Sequence, residues 1–438
     1  MFRRLASRRT LAGAVGTALL VAGVSVGAAG DGSGRGGHDA GGGRVWVTTW
    51  ASSPTGVPES EPVTLEDQTV RQVVHTSAGG TGLRIRLTNE LGQDVLEVGE
   101  VRVAVRAGTD GADGTDIVPS TDRQVTFGGE ESADVPAGAP LLSDPVRLRV
   151  RPDSDLVVSI YLPEETHVRT VHFSAYQANA VADGNVTADE SLTATAEPAS
   201  WYMLSGVSVQ ASRGASTVVA LGDSITDGAI TQPGANHRWP DLLSDRLRRA
   251  PGVGDVGVAN AGIGGNRLLW DGSAAPGSPF GDFVVYFGQS GLRRFDRDVL
   301  AQPGVEHVIT LLGVNDIGQP DFGAPAEQRV TAADLVAGHR QLIARAHAAG
   351  LKIYGGTITP FRGFEGYDTP ENQAVRSAVN RWIRTSGEYD AVIDFDAAVR
   401  DPQDPLRLLA AYDSGDHLHP NDDGMAAMAR AVPVHLFR

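Results

Sequence analysis

Ser224 lies in the segment Leu221-Gly222-Asp223-Ser224-Ile225-Thr226-Asp227-Gly228, directly after the apolar run Thr217 to Leu221. A short apolar run that stops at a glycine reads as a buried strand entering a tight turn. A serine in that turn sits beside backbone N–H groups at a helix start, which favour developing negative charge, so it is placed as a nucleophile would be. Asp and Ser are also ordinary helix N-caps, and the segment alone leaves both roles open.

A serine hydroxyl needs a base, and the base needs an orienter. Asp413-Ser414-Gly415-Asp416-His417-Leu418-His419-Pro420 offers both near the C-terminus. Asp416 and His419 are three apart, so one turn of backbone can bring the carboxylate to Nδ1 while Nε2 faces Ser224. His417 is a rival base, but adjacent residues are less able to face each other, and His419 is preferred. Acyl transfer also needs donors for an oxyanion. The run His307 to Leu312 leads into Gly313-Val314-Asn315-Asp316, which puts the Asn315 amide at the carboxyl end of a strand. Asn260-Ala261-Gly262-Ile263-Gly264-Gly265-Asn266 is a Gly-rich turn whose backbone could approach a substrate.

Together these four segments resemble the SGNH hydrolases, the GDSL esterase and lipase family. The matching residues are Gly222-Asp223-Ser224, Gly265, Asn315 and the Asp416-His419 pair, in the family's order, and the resemblance covers about Ser216 to Arg438. It implies a flavodoxin-like three-layer α/β/α domain, with Ser224 as nucleophile, His419 as general base and Asp416 as its orienter. The implied oxyanion hole is the Ser224 N–H, the Gly265 N–H and the Asn315 side chain, with Gly262 and Gly264 close enough to rival Gly265. The implied activity is two-step hydrolysis of a carboxylic ester through an acyl-enzyme, with no metal or other cofactor. The whole chain is similar to secreted bacterial members that carry an N-terminal β-domain, a half in which no motif can be matched.

Positioning these residues takes a particular grammar of elements. From about Ser216, short apolar runs alternate with helical segments. Thr217 to Leu221, His307 to Leu312, Lys352 to Ile358 and Ala391 to Phe395 read as buried parallel strands, and Thr331 to Ala349 and Glu371 to Thr385 as helices. Leu335, Leu342, Ile343 and Ala346 share one side of the first helix, and Gly350 stops it. Pro420 is expected to start a last helix with Met425, Met428 and Val432 on its apolar side. Such an α/β order gathers ligands at the carboxyl ends of the strands.

The preceding residues alternate with period two: Leu83, Ile85 and Leu87; Val101, Val103 and Val105; Val146, Leu148 and Val150; Leu156, Val158, Ile160 and Leu162. Broken by Gly, Pro and Asp clusters, they predict an all-β sandwich or jelly roll over 45–212, followed by the hydrolase domain over 213–438.

A chain of 438 residues is comfortable for two such domains, since single cores stop growing near about 250–300 residues. Residues 1–30 have the layout of a signal peptide: Arg3, Arg4, Arg8 and Arg9, the apolar run Leu11 to Val26, then Gly27-Ala28-Ala29. Ser7-Arg8-Arg9-Thr10-Leu11 also resembles a twin-arginine signal. The expectation is a secreted protein with a flexible Gly-rich linker over 31–44. Losing four arginines and no acid takes the formal charge from −16 to −20, which argues against nucleic acid or an anionic membrane as partner. With no cysteine, thiol nucleophiles, thiolate metal sites and disulfides are excluded. No later apolar run reaches the roughly 18 residues of a spanning helix, so stable membrane insertion is not expected. The expected form is a monomer.

Leu268, Leu269, Trp270, Phe280, Phe283, Tyr286 and Phe287 fall in a long insertion that could line an acyl or aryl pocket, form a lid over 266–290, or only pack. Trp239 reads as packing. Trp46, Trp50 and Trp201 could form a sugar-stacking surface for a polysaccharide, and Asp110, Asp113 and Asp116, or Asp422 and Asp423, could hold calcium, although core packing and solvated loops explain both. The leading function is a carboxylesterase on short or medium acyl esters, whose substrate is a small-molecule or polymeric ester. A carbohydrate O-deacetylase or a lipase would use the same triad. The alternative class is a carbohydrate-binding protein with an inactive hydrolase half.

Overall fold

Alternation in the first half puts one face of each strand into a common core. The computed structural model describes residues 43–108 and 114–438, so the expected signal peptide, most of the Gly-rich linker, Asp110 and Asp113 lie outside the described residues. The main antiparallel strands are β1 (Val45–Ala51), β2 (Gln68–Thr76), β3 (Leu83–Thr88), β4 (Glu100–Val105), β5 (Arg123–Val125), β6 (Pro140–Leu142), β7 (Ser154–Leu162), β8 (Asn179–Asp183) and β9 (Leu204–Ala211). They form a four-stranded sheet in the order β1-β9-β3-β6 and a five-stranded sheet in the order β8-β2-β7-β4-β5. Leu83, Ile85 and Leu87 of the first share a core with Val101, Val103, Leu156, Val158 and Ile160 of the second, as in packed sheets whose inner faces interdigitate. Val146 to Val150, expected as a strand, makes only isolated bridges to Leu83 and Gly80. The Leu148 N–H turns back onto the Val146 carbonyl at 3.0 Å, so no ladder can form although Val146, Leu148 and Val150 are buried.

Beyond Ala211 the chain enters a parallel sheet: β10 (Ser216–Gly222), β11 (Val256–Gly262), β12 (Val305–Leu311), β13 (Lys352–Gly356) and β14 (Ala391–Ile393). Their order, β11-β10-β12-β13-β14, places the first strand between the second and third, the flavodoxin-like arrangement. The strand β11 was not expected. Its sequence Val-Gly-Val-Ala-Asn-Ala-Gly carries small residues because the antiparallel half lies against it: a Cβ on Gly257 would stand 1.9 Å from the Thr48 carbonyl oxygen.

The helices that frame the site are α1 (Ser224–Asp227), α2 (Trp239–Arg249), α3 (Val314–Phe322), α4 (Ala332–Ala348), α5 (Pro370–Thr385) and α6 (Asp422–Ala431). Thr331 and Asp334 form a reciprocal capping box on α4. Pro420 does not start α6. It bridges Asp413, and Asn421 caps the helix by accepting from the Gly424 N–H. Met425, Met428 and Val432 are buried as expected.

Residues 43–438 form one compact unit. Thr48 donates its N–H to Thr217 Oγ1 at 3.0 Å, and Ser77 Oγ accepts from the Val258 N–H at 2.8 Å, so bonds from backbone N–H groups to side-chain hydroxyls join the antiparallel and parallel parts. Among the described residues no helix is long and apolar enough to cross a membrane.

Candidate active site

Strand β10 ends at the point where the sheet order reverses, and α1 begins two residues later. Asp223 caps this single turn by accepting the Ile225 N–H. Gly222 is required by crowding rather than by an unusual φ, since a Cβ there would lie 2.0 Å from Thr226 Oγ1. Ser224 is thus held at the first position of a helix with its N–H uncommitted, as the first N–H groups of any helix are.

Ser224 Oγ lies 2.8 Å from His419 Nε2, and His419 Nδ1 lies 2.5 Å from Asp416 Oδ2. A carboxylate accepts, so Nδ1 carries the hydrogen and Nε2 is left to accept the serine proton. The other Asp416 oxygen accepts from the Leu418 and His419 N–H groups and from the Ser414 hydroxyl. Burial pushes the Asp416 carboxyl up, but the bond from the His419 ring and these backbone donors outweigh it and hold it well below the usual carboxylate range. His417, the rival base, is pinned elsewhere. Its φ is +68°, and its Nδ1 lies 2.6 Å from Asp413 Oδ2.

Ser224, Gly265 and Asn315 line one cleft. The Gly262 N–H is taken by Asn260 Oδ1 and the Gly264 N–H by Asp227 Oδ2. The Gly265 N–H makes no hydrogen bond among the described residues. Gly265 has φ +71°, and a Cβ would meet the Phe287 ring at 2.2 Å, so only glycine fits. Asn315 is held at both ends. Its Nδ2 donates to the Asn266 carbonyl at 2.9 Å and its Oδ1 accepts from the Tyr367 hydroxyl at 2.9 Å, which leaves one Nδ2 hydrogen for the cleft.

Beneath the site sit two buried carboxyls. Burial pushes Asp223 up to about 7, with Asp316 adding to the rise, and burial pushes Asp316 up to about 6 against the Leu268 and Leu269 N–H bonds it accepts. The fully buried Arg294 donates to the carbonyls of Gly222 and Ala261, to Ser53 Oγ, to Asn266 Oδ1 and to Asp298. Neither Arg294 nor His172, which reaches the site from the antiparallel half, was expected, because both act through long-range contacts with no periodic or motif signal.

The cleft encloses about 850 Å³ including its open mouth. Phe280, Phe283, Tyr286 and Phe287 of the insertion line it together with Phe173, Phe322 and Phe364, whereas Leu268 is in the α/β core and Trp270 is exposed. Trp239 is fully buried against Phe395. Trp50 and Trp201 are also buried, packed edge to face at 5.0 Å, so neither ring is open to a sugar, while Trp46 lies under the Arg84 guanidinium. Among the described residues no three His, Cys, Asp or Glu side chains group as a metal site. Asp422 instead bonds His237.

Residues 220–427 match the model of the GDSL-like Lipase/Acylhydrolase family. This part of the chain belongs to that family. Ester hydrolysis is the activity of the family. The GDSL-like part is similar to solved structures at low identity: a provisionally assigned arylesterase from Agrobacterium tumefaciens str. C58 (24% identity, 51% of this chain and 100% of that one, TM-score 0.35). A lipolytic protein provisionally assigned to the G-D-S-L family, from Desulfitobacterium hafniense DCB-2, is 20% identical over 50% of this chain and 99% of its own, TM-score 0.35. A catalytic mutant of an acetylxylan esterase from Geobacillus stearothermophilus is 21% identical over 49% and 91%, TM-score 0.36. No curated protein matches the chain by sequence.

Proposed function

We propose that the protein is a secreted carboxylic ester hydrolase that forms an acyl-enzyme at Ser224 and prefers esters with an apolar acyl group. The observation that carries this reading is the 2.8 Å contact of Ser224 Oγ with His419 Nε2 inside an aromatic cleft. His419 takes the Ser224 proton as Oγ attacks the acyl carbon, and Asp416 orients the imidazole and stabilises its charge. The tetrahedral oxyanion is received by the N–H groups of Ser224 and Gly265 and by Asn315 Nδ2. His419 then returns the proton to the leaving alcohol, and water, deprotonated by the same ring, releases the acid and restores Ser224.

Phenylalanine walls with few polar groups suit an acyl or aryl chain better than a hydroxyl-rich glycan. Export rests on the layout of residues 1–30. The test is hydrolysis of p-nitrophenyl esters from acetate to palmitate, with acetylated xylan alongside. Activity on butyrate to octanoate that vanishes in Ser224→Ala is expected. Full activity in Ser224→Ala would overturn the mechanism, and a preference for the xylan would make the enzyme a deacetylase. The N-terminal mass of protein recovered from the culture medium tests secretion.

A further inference from the structure

The strand pair Val171–His172 and Trp201–Tyr202 belongs to the antiparallel half, yet His172 reaches the turn that carries Ser224. His172 and Asp227 are each 4% exposed. His172 Nδ1 lies 2.8 Å from the Ser53 carbonyl oxygen, which can only accept, so Nδ1 carries a hydrogen. Its Nε2 lies 2.9 Å from Asp227 Oδ1, so one imidazole bridges the Ser53 carbonyl and the Asp227 carboxyl. The other Asp227 oxygen accepts the Gly264 N–H at 3.1 Å. Asp227 closes the turn that Ser224 opens, and Gly264 immediately precedes the glycine whose N–H is free.

We propose that His172 is a positioning residue of the acyl-transfer site: through Asp227 it locks the Gly264-Gly265 backbone against the nucleophile turn, making the antiparallel half a working part of the oxyanion hole. The inference rests on the ester hydrolase reading above. The packing leaves little slack for an alternative arrangement, because a Cβ on Gly262 would lie 2.2 Å from the Asp227 nitrogen. The Arg238 guanidinium holds the same residue from the other side, donating Nε to the Asp227 carbonyl at 2.6 Å. Without the ring, the Asp227 carboxylate loses its buried partner and is free to turn away from Gly264, and the donor that must meet the oxyanion moves with that loop.

A bond that only joined the two halves would affect stability and leave turnover alone. The test is therefore kcat and KM on p-nitrophenyl acetate, measured with thermal unfolding, for His172→Ala, His172→Gln, Asp227→Ala and the double variant. A misplaced donor costs turnover, so kcat of His172→Ala should fall at least about tenfold with KM within about twofold. Glutamine can still donate to Asp227 and should recover part of the loss. The double variant should be no worse than the poorer single, since both remove one linkage. A folded His172→Ala with a lower melting temperature and unchanged kcat would overturn the inference. Should His172→Ala not fold, Asp227→Ala, which cuts the same linkage from the α/β side, overturns it by keeping full kcat. If Ser224→Ala is inert while these variants are fully active, only this inference fails. An active Ser224→Ala would remove the ester hydrolase mechanism itself.

Discussion

The ring of Phe173 stacks on that of Tyr286, centroids 4.4 Å apart and planes 23° from parallel, so the antiparallel half and the insertion of the α/β half share one wall of the cleft. Phe283 meets both rings edge to face. The longer the acyl group carried by Ser224, the more of this apolar wall it can contact. Phe173→Ala should lower the ratio of kcat/KM for hexanoate over acetate by about tenfold, the worth of one or two lost methylene contacts. An unchanged chain-length profile would show that the acyl group leaves the cleft by another face.

The two histidines of the Asp413 to Pro420 loop are separated by their partners. His419 bonds Ser224, whereas His417 bonds Asp413. His419→Ala should reduce kcat by at least about 10⁴-fold, as loss of the base does in serine hydrolases. His417→Ala should keep most of the turnover in the same p-nitrophenyl acetate assay, and the reverse pattern would reassign the base.

Asp223 gives the stability a pH dependence of definite sign. Its folded carboxyl, pushed up to about 7 by burial, holds a proton that the unfolded chain releases near its ordinary value of about 4. The contribution is therefore complete below about pH 4 and is lost as pH rises through about 7. Asp223→Asn removes it. The stability of wild type relative to Asp223→Asn should fall by about 2–4 kcal/mol between pH 4 and pH 8 in urea unfolding, and parallel curves would contradict the assignment.

Arg294 is the only cation that reaches the ends of β10 and β11 together with Asn266, among the described residues. Arg294→Met removes the guanidinium donor from the Gly222 and Ala261 carbonyls and from Asn266 Oδ1, leaving Gly222 the longer 3.3 Å bond from the Ile263 N–H and leaving Asp298 to Arg297. Stripping one member from a buried charged network typically costs about 3–5 kcal/mol, which guanidinium unfolding would read directly. Turnover should fall in the folded fraction, because Gly222 and Asn266 flank the nucleophile and the glycine loop.

Much of this protein was legible in the linear sequence because the deciding physics is local. The Asp416 and His419 spacing puts two side chains on one turn, an apolar run ending at Gly222 delivers Ser224 to a strand end, and period-two alternation such as Leu83 to Leu87 needs only neighbouring residues to be read. Where formation depended on a distant surface, the local signal misled. The strand β11 has small residues suited to a face pressed on Thr48, and Val146 to Val150 alternates like a strand yet spends its donor on a turn. That Asn260 and Asp227 occupy the N–H groups of Gly262 and Gly264 and leave that of Gly265 free is visible only in three dimensions. So are the partners His172 and Arg294, which reach Asp227 and Gly222 from 55 and 72 residues away. Hydrogen bonds of that span depend on how two sheets pack against each other, and no short-range pattern encodes that packing.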